Sequence, residues 1–138
     1  MRRPPPHVLL VDDDTDTREV LRLILESDGL HVTSAIDGLD ALNVLEAIHR
    51  RDPSTPCAIV LDYMMPRFSG AEFRARQLAT PDIADVPIIV VSAMSDIESR
   101  AVSMRPFAIL QKPIHPDRFV EAVRQAVEQY LSGRGLTD

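Results

Sequence analysis

The chain has 138 residues, with 15 Lys and Arg against 21 Asp and Glu, for a formal charge of −6. That length is one ordinary domain. A hydrophobic content of 45% excludes wholesale disorder, and the acidic balance leaves no electrostatic footprint for nucleic acid. The single cysteine, Cys57, excludes an intrachain disulfide and suits a reducing compartment. Apolar runs are too short for a membrane span, and Pro4-Pro5-Pro6 stands where a signal peptide would need its apolar core. A soluble cytoplasmic domain is expected.

Residues 1–6 read as a disordered N-terminal segment. Val8-Leu9-Leu10-Val11 follows, a continuous apolar run that predicts a strand buried on both faces. Thr15 to Asp28 reads as a helix, with Thr15 or Asp16 as its cap and Glu19 placed for a capping box. Val20, Leu21, Ile24 and Leu25 form its apolar stripe, and Gly29 ends it. Leu30 to Ser34 is a weaker strand. Asp37 to Arg50 is a second helix with the stripe Leu39, Leu42, Leu45 and Ile48. Cys57 to Leu61 is the third strand, with Cys57 as a small buried hydrophobe, and Ser69 to Leu78 the third helix. Pro87 to Val91 is the fourth strand, with its proline at the first residue, where no ladder bond is lost. Ser95 to Met104 is a thin fourth helix and Phe107 to Leu110 a fifth strand. Pro116 to Leu131 is the strongest helix, with Phe119, Val120, Val123, Ala126, Val127, Tyr130 and Leu131 on one face. Residues 132–138 read as a tail. His7, His31, His49 and His115 share no spacing and are expected at the surface.

Five strand–helix units in series predict an α/β fold on a parallel sheet with helices on both faces. In such sheets ligands bind beyond the carboxyl ends of the strands. The first strand ends in Asp12-Asp13-Asp14, the third in Asp62, the fourth in Ser92 and the fifth in Gln111-Lys112-Pro113. Carboxylates brought that close cannot all stay ionised without a cation. An all-oxygen set favours a hard divalent metal such as Mg²⁺ over zinc. Asp62, apart from the acidic cluster, is then the candidate nucleophile for an acyl phosphate. Ser92 offers a hydrogen bond to a phosphoryl oxygen, and Lys112 a compact positive charge. Asp14 and Asp16 read as acidic residues at a helix N-terminus. An EF-hand reading of Asp12-x-Asp14-x-Asp16 fails, because Thr17 and Leu23 stand where Gly and Glu are required.

Four pieces in this order resemble a response-regulator receiver domain, the CheY-like phosphoacceptor of two-component signalling. They are Val-Asp-Asp-Asp at 11–14, Val-Leu-Asp-Tyr-Met-Met-Pro with Gly70 at 60–70, Val-Val-Ser-Ala at 90–93 and Gln-Lys-Pro-Ile at 111–114. The resemblance covers residues 7–131 and implies a doubly wound five-stranded parallel sheet in order 2-1-3-4-5 with five flanking helices. It implies that Asp62 accepts a phosphoryl group from a histidine kinase or phosphotransfer protein. Asp12, Asp13, Asp62 and the backbone carbonyl of Met64 then hold Mg²⁺, while Ser92 and Lys112 contact the phosphoryl oxygens. It further implies a cis Lys112-Pro113 bond and output by binding a downstream protein rather than by enzymatic turnover. The chain reads as a stand-alone receiver, with a piece of a larger protein left open.

The sequence departs from the family where many members carry an aromatic three residues before the lysine. Here that position is Ile109, with Phe107 two residues earlier, and Arg105-Pro106 stands where Gly-Ala is common. Met64 and Met94, two past Asp62 and Ser92, occupy positions that tend to tune water access in the family, and two apolar side chains there predict a long-lived phosphoryl group. Tyr63 reads as a site-rim or partner-contact residue. Dimerisation through the fourth and fifth helices is common in the family, and the polar face Glu121, Arg124, Gln125 and Glu128 leaves it open. Two alternatives stand beside the switch: a degenerate receiver used only for docking, and an aspartyl-nucleophile phosphatase of the haloacid-dehalogenase kind. The second requires Thr or Val where Asp16 stands, and a larger core.

Overall fold

A strand covered by helices on both faces must be apolar throughout, and the buried runs Val8–Val11, Ala58–Leu61 and Ile88–Val91 meet that condition. The computed structural model describes residues 5–65 and 68–135, so residues 1–4, Pro66, Arg67 and residues 136–138 lie outside the described residues. In chain order the elements are β1 (His7–Val11), α1 (Thr15–Ser27), β2 (His31–Ala35), α2 (Gly38–Arg51), β3 (Ala58–Asp62) and α3 (Gly70–Leu78). They continue with β4 (Ile88–Ser92), α4 (Ile97–Ala101), which runs into a 3-10 turn (Val102–Met104), β5 (Ala108–Gln111) and α5 (Pro116–Gly133). All neighbouring strands are parallel, in the order β2-β1-β3-β4-β5. The expected architecture is present. Among the described residues no helix is long and apolar enough to cross a membrane.

Burial follows position in the sheet. β3 and β4 are buried at every residue, Asp62 and Ser92 included. The outer strands β2 and β5 are partly exposed, as edges are. α1 packs beside α5, and α2 beside α3. Phe73 and Phe119 are the largest side chains with no exposure; each apolar side chain so buried stabilises the fold by about 1.5–3 kcal/mol relative to exposure.

Several boundaries differ from expectation, each for a local reason. β2 to β5 each begin and end one residue later than expected, which makes Asp62 and Ser92 the last residues of their strands. α1 is capped by Asp14, not by Thr15 or Asp16. The Asp14 backbone is extended, and its carboxylate accepts from the Thr17 N–H at 2.8 Å and from the Thr17 hydroxyl at 2.5 Å. The fourth helix is α-helical over five residues only. Arg105 then takes a left-handed backbone, φ +50°, and Pro106 follows. α5 continues through Ser132 and Gly133, which were expected in the tail. The segment expected to be disordered is already engaged at Pro6, whose carbonyl accepts from the His31 N–H at 2.9 Å. His31 and His115 are exposed as expected, but His7 and His49 are half-buried. His7 stacks on His31 with ring centroids 4.4 Å apart, because the two are register partners of β1 and β2.

Candidate functional site

β1 and β3 pair with Val11 opposite Leu61, so the residues that follow, Asp12 and Asp62, leave adjacent strands at the same level. One carboxylate oxygen from each of Asp12, Asp13 and Asp62 can be chosen so that all lie within 4.8 Å of one another. Asp12 and Asp62 are buried and Asp13 is exposed, so two charges face the protein and one faces solvent. Lys112, from the loop after β5, places Nζ 3.7 Å from Asp12 Oδ2 and 4.0 Å from Asp62 Oδ2. Its backbone N–H donates to the Ser92 carbonyl at 2.8 Å, which ties that loop to the end of β4. The bond from Lys112 to Pro113 is cis, as is that from Thr55 to Pro56; the first was expected and the second was not.

The backbone holds each acid in place. The Asp14 N–H donates to Asp12 Oδ1 at 2.8 Å, and the Met64 N–H to Asp62 Oδ1 at 3.2 Å. Arg18, one turn into α1, donates from Nη1 to the Asp12 carbonyl at 2.8 Å. Ser92 is almost fully buried and its Oγ accepts from the Met94 N–H at 3.1 Å; the hydroxyl still has a hydrogen to donate. α3 starts against the end of β3 because residue 70 is glycine. A Cβ there would lie 3.1 Å from the Asp62 carbonyl oxygen and 3.3 Å from Tyr63 Cα.

Burial, and after it the Asp12 carboxylate, push the Asp62 carboxyl up to about 6, against the opposing pull of Lys112 and the Met64 amide. Burial likewise raises Asp12, with the Asp14 amide and Lys112 opposing. The site is therefore an acidic crevice in which one lysine does not balance three carboxylates. It can hold a hard cation through oxygen ligands, and it presents a partly desolvated carboxylate beside a positive charge and a hydroxyl.

The structure thus brings together Asp12, Asp13, Asp62 and Lys112, with Ser92 on the next strand. Met64 lies beside them through its amide, but its side chain is 59% exposed, whereas Met94 is half-buried. Asp16 stands in the first turn of α1, outside the cluster. Arg18 was not anticipated, because its link to Asp12 runs to a backbone carbonyl, for which side-chain identity carries no signal.

A doubly wound sheet with an acidic crevice at its carboxyl edge, faced by Lys112 from the loop after β5 and by Ser92 at the end of β4, is the arrangement expected of a receiver domain. The chain belongs to the response regulator receiver domain family, whose sequence model matches residues 8–124. Response regulator MprA of Mycobacterium sp. strain KMS is 35% identical over 133 residues, which cover 95% of this chain and 54% of that protein. The chain therefore spans about half the length of that curated relative. An uncharacterized 14.6 kDa protein of Leptolyngbya boryana is 34% identical over 120 residues, 86% of this chain and 87% of that one. Among solved structures, the receiver domain of Francisella response regulator 1452 superposes with a TM-score of 0.76 at 25% identity, covering 90% of this chain and 98% of that one. Chemotaxis protein CheY4 of Vibrio cholerae gives 0.75 at 22% identity, over 88% and 98%.

Proposed function

We propose that this chain is a phosphoacceptor switch in which Asp62 takes a phosphoryl group from a phosphohistidine of a histidine kinase or histidine phosphotransfer protein. The observation that carries the reading is the meeting of three strand-end carboxylates within 4.8 Å, with Lys112 Nζ 3.7 Å and 4.0 Å from two of them. In the transfer, an Asp62 carboxylate oxygen forms the new P–O bond while the P–N bond to the donor imidazole breaks, and the imidazole leaves as the free base. Hydrolysis later returns the carboxylate and releases inorganic phosphate.

The donor set suits Mg²⁺, since it is all oxygen and carries more negative charge than Lys112 offsets. Asp12, Asp13, Asp62 and the Met64 carbonyl are the proposed ligands. The bound metal supplies positive charge next to the phosphoryl oxygens. Lys112 would neutralise a phosphoryl oxygen, and the Ser92 hydroxyl would donate to another. The half-buried Met94 restricts water on one side, while the exposed Met64 leaves the other side open. Output runs through altered binding of a protein partner.

The test is intact-mass spectrometry after incubation with Mg²⁺ and acetyl phosphate. Wild type gains one phosphoryl group; the gain is lost without Mg²⁺ and in Asp62→Asn. Catalytic turnover of a phosphomonoester would instead support the phosphatase alternative. No gain from acetyl phosphate or from a panel of phosphorylated kinases would support docking alone.

A further inference from the structure

The N-terminus of α3 is held between two glycines. Gly38 is the first residue of α2, follows the N-cap Asp37 and is buried. A Cβ there would stand 2.5 Å from Phe68 Cδ1, 2.8 Å from the Phe68 carbonyl oxygen and 3.3 Å from the Ser69 carbonyl oxygen. Two of those three atoms are backbone, so a side chain at residue 38 could not be accommodated by a rotamer change alone. Phe68 is partly buried against the core, and the Arg76 guanidinium carbon lies 5.8 Å from its ring centroid. The ring is therefore engaged by α2 and by α3. On the other side, Gly70 lets α3 begin against the Asp62 carbonyl and Tyr63 Cα.

Ser69 ties the two contacts together. It is the N-cap of α3 and forms a reciprocal capping box. Its Oγ accepts from the Glu72 N–H at 3.1 Å, and its own N–H donates to Glu72 Oε1 at 3.2 Å. A displaced Ser69 thus carries Gly70 and the first turn of α3 with it. Gly70 has little slack to absorb that movement, because Asp62 and Tyr63 stand directly beside it. The Asp62 carboxylate accepts from the Met64 N–H at 3.2 Å, so its aim depends on the backbone just past β3. Helix propensity alone favours alanine over glycine at residue 38. The close approach of Phe68 and Ser69 is what calls for glycine there.

We propose that Gly38 is a positioning residue for the acceptor. By omitting a side chain, it lets α2 seat the α3 N-terminus against the end of β3, which fixes Asp62 and the Met64 backbone for Mg²⁺ and the phosphoryl group. The consequence for Mg²⁺ rests on the phosphoacceptor reading, but the seating of α3 is a property of the metal-free protein. Gly38→Ala forces the Phe68 and Ser69 backbone away from α2. Phe68→Ala opens the same seat from the other side and removes only a partly buried ring.

The experiment compares wild type, Gly38→Ala, Phe68→Ala and a control core variant, Val127→Ala in the later half of α5, as full chains. Residue-resolved amide hydrogen exchange of the metal-free proteins is measured first, then Mg²⁺ affinity by titration calorimetry where every variant is folded. Gly38→Ala and Phe68→Ala are each expected to speed exchange at the Met64 and Glu72 amides beyond any general rise across the chain. Both are expected to weaken Mg²⁺ binding by about 10-fold or more, the effect typical of losing a group that orients metal ligands. Val127→Ala changes neither readout selectively. Unchanged Met64 and Glu72 exchange in both site variants overturns the proposal, as does wild-type Mg²⁺ affinity in both. An equal loss of affinity in Val127→Ala also overturns it, because general destabilisation would then account for the effect. Absence of Mg²⁺ binding in wild type counts against the acceptor reading alone, since exchange in the metal-free proteins still decides the seating.

Discussion

Arg74 on α3 donates through Nε to the carbonyl of Met104 at 2.8 Å, across 30 residues of chain. The same guanidinium meets Gln77 Oε1 at 2.7 Å and the Arg105 carbonyl at 3.1 Å, and among the described residues no carboxylate pairs with it. Burial of this charge lowers the pKa of Arg74, and nearby Arg105 lowers it further. Removing a partner from buried carbonyls leaves them unsatisfied, whereas the relief from burying a charge offsets only part of that loss. Arg74→Met is expected to destabilise the fold by about 2 kcal/mol, measured as a lower urea midpoint. Arg74→Lys is expected to rescue little, because one ammonium cannot serve acceptors spread around a planar fork. An unchanged midpoint in Arg74→Met would show that the network contributes nothing net.

Arg105 is the complementary case. Its φ of +50° lies in the left-handed region, where a side chain costs roughly 1–2 kcal/mol. Glycine returns part of that gain through the freer unfolded chain, about 0.4–1 kcal/mol. Arg105→Gly also removes a positive charge beside buried Arg74. The net expectation is stabilisation of up to about 1 kcal/mol, seen as a raised melting midpoint. A fall in the midpoint would mean that the Arg105 side chain makes contacts worth more than the strain.

How much of the structure is legible in the sequence depends on the range of the signal. Continuous apolar runs and helix-period stripes are strong local signals, and Val8–Val11, Ala58–Leu61 and Ile88–Val91 carried the parallel sheet, while its strand order followed from the resemblance to receiver domains. Asp12, Asp62, Ser92 and Lys112 were legible because strand ends in such a sheet converge on one edge. Arg74 was not: it falls in an amphipathic helix, and nothing local tells a buried arginine from a solvated one when its acceptors are backbone carbonyls. The cap of α1 was missed by one or two residues because Asp14, Thr15 and Asp16 all suit that role. His7 was read as a surface residue because its partner His31 is brought to it only by strand pairing.

Asp62→Asn tests the electrostatics of the crevice apart from its chemistry. The folded Asp62 carboxyl is raised to about 6 by burial and by Asp12, above its unfolded value, so near neutral pH folding must carry a charge that the site disfavours. Removing that charge is expected to stabilise the metal-free protein by roughly 1–3 kcal/mol. If the crevice binds Mg²⁺ as proposed, added Mg²⁺ is expected to stabilise wild type by mass action and to narrow the gap, since Asn would be the poorer ligand. Thermal melts of both proteins with and without Mg²⁺ check this. A variant less stable than wild type in the absence of metal would mean that Lys112 more than offsets the repulsion.

His7 sets a different pH dependence at the opposite edge of the sheet. Burial, and then stacked His31, lower its pKa from 6.5 to about 4, while the Asp52 carboxylate pulls the other way. The unfolded chain takes up a proton at His7 below about 6.5, and the folded chain does so only near 4. More protons bound by the unfolded state means that stability rises with pH. The contribution is present above about 6.5 and is lost as pH falls toward 4. Each unit between the two values is worth about 1.4 kcal/mol, and partial solvent access brings the expected loss to roughly 1–3 kcal/mol. Carboxylates titrate at the acid end of this window, so the comparison that isolates His7 is wild type against His7→Phe between pH about 6.5 and about 5. The phenyl ring keeps the stack on His31 and cannot be protonated, so the variant should show a flatter decline in unfolding free energy across that interval. Equal slopes for the two proteins would mean that His7 is protonated in the folded state at its ordinary pH, with Asp52 compensating the burial.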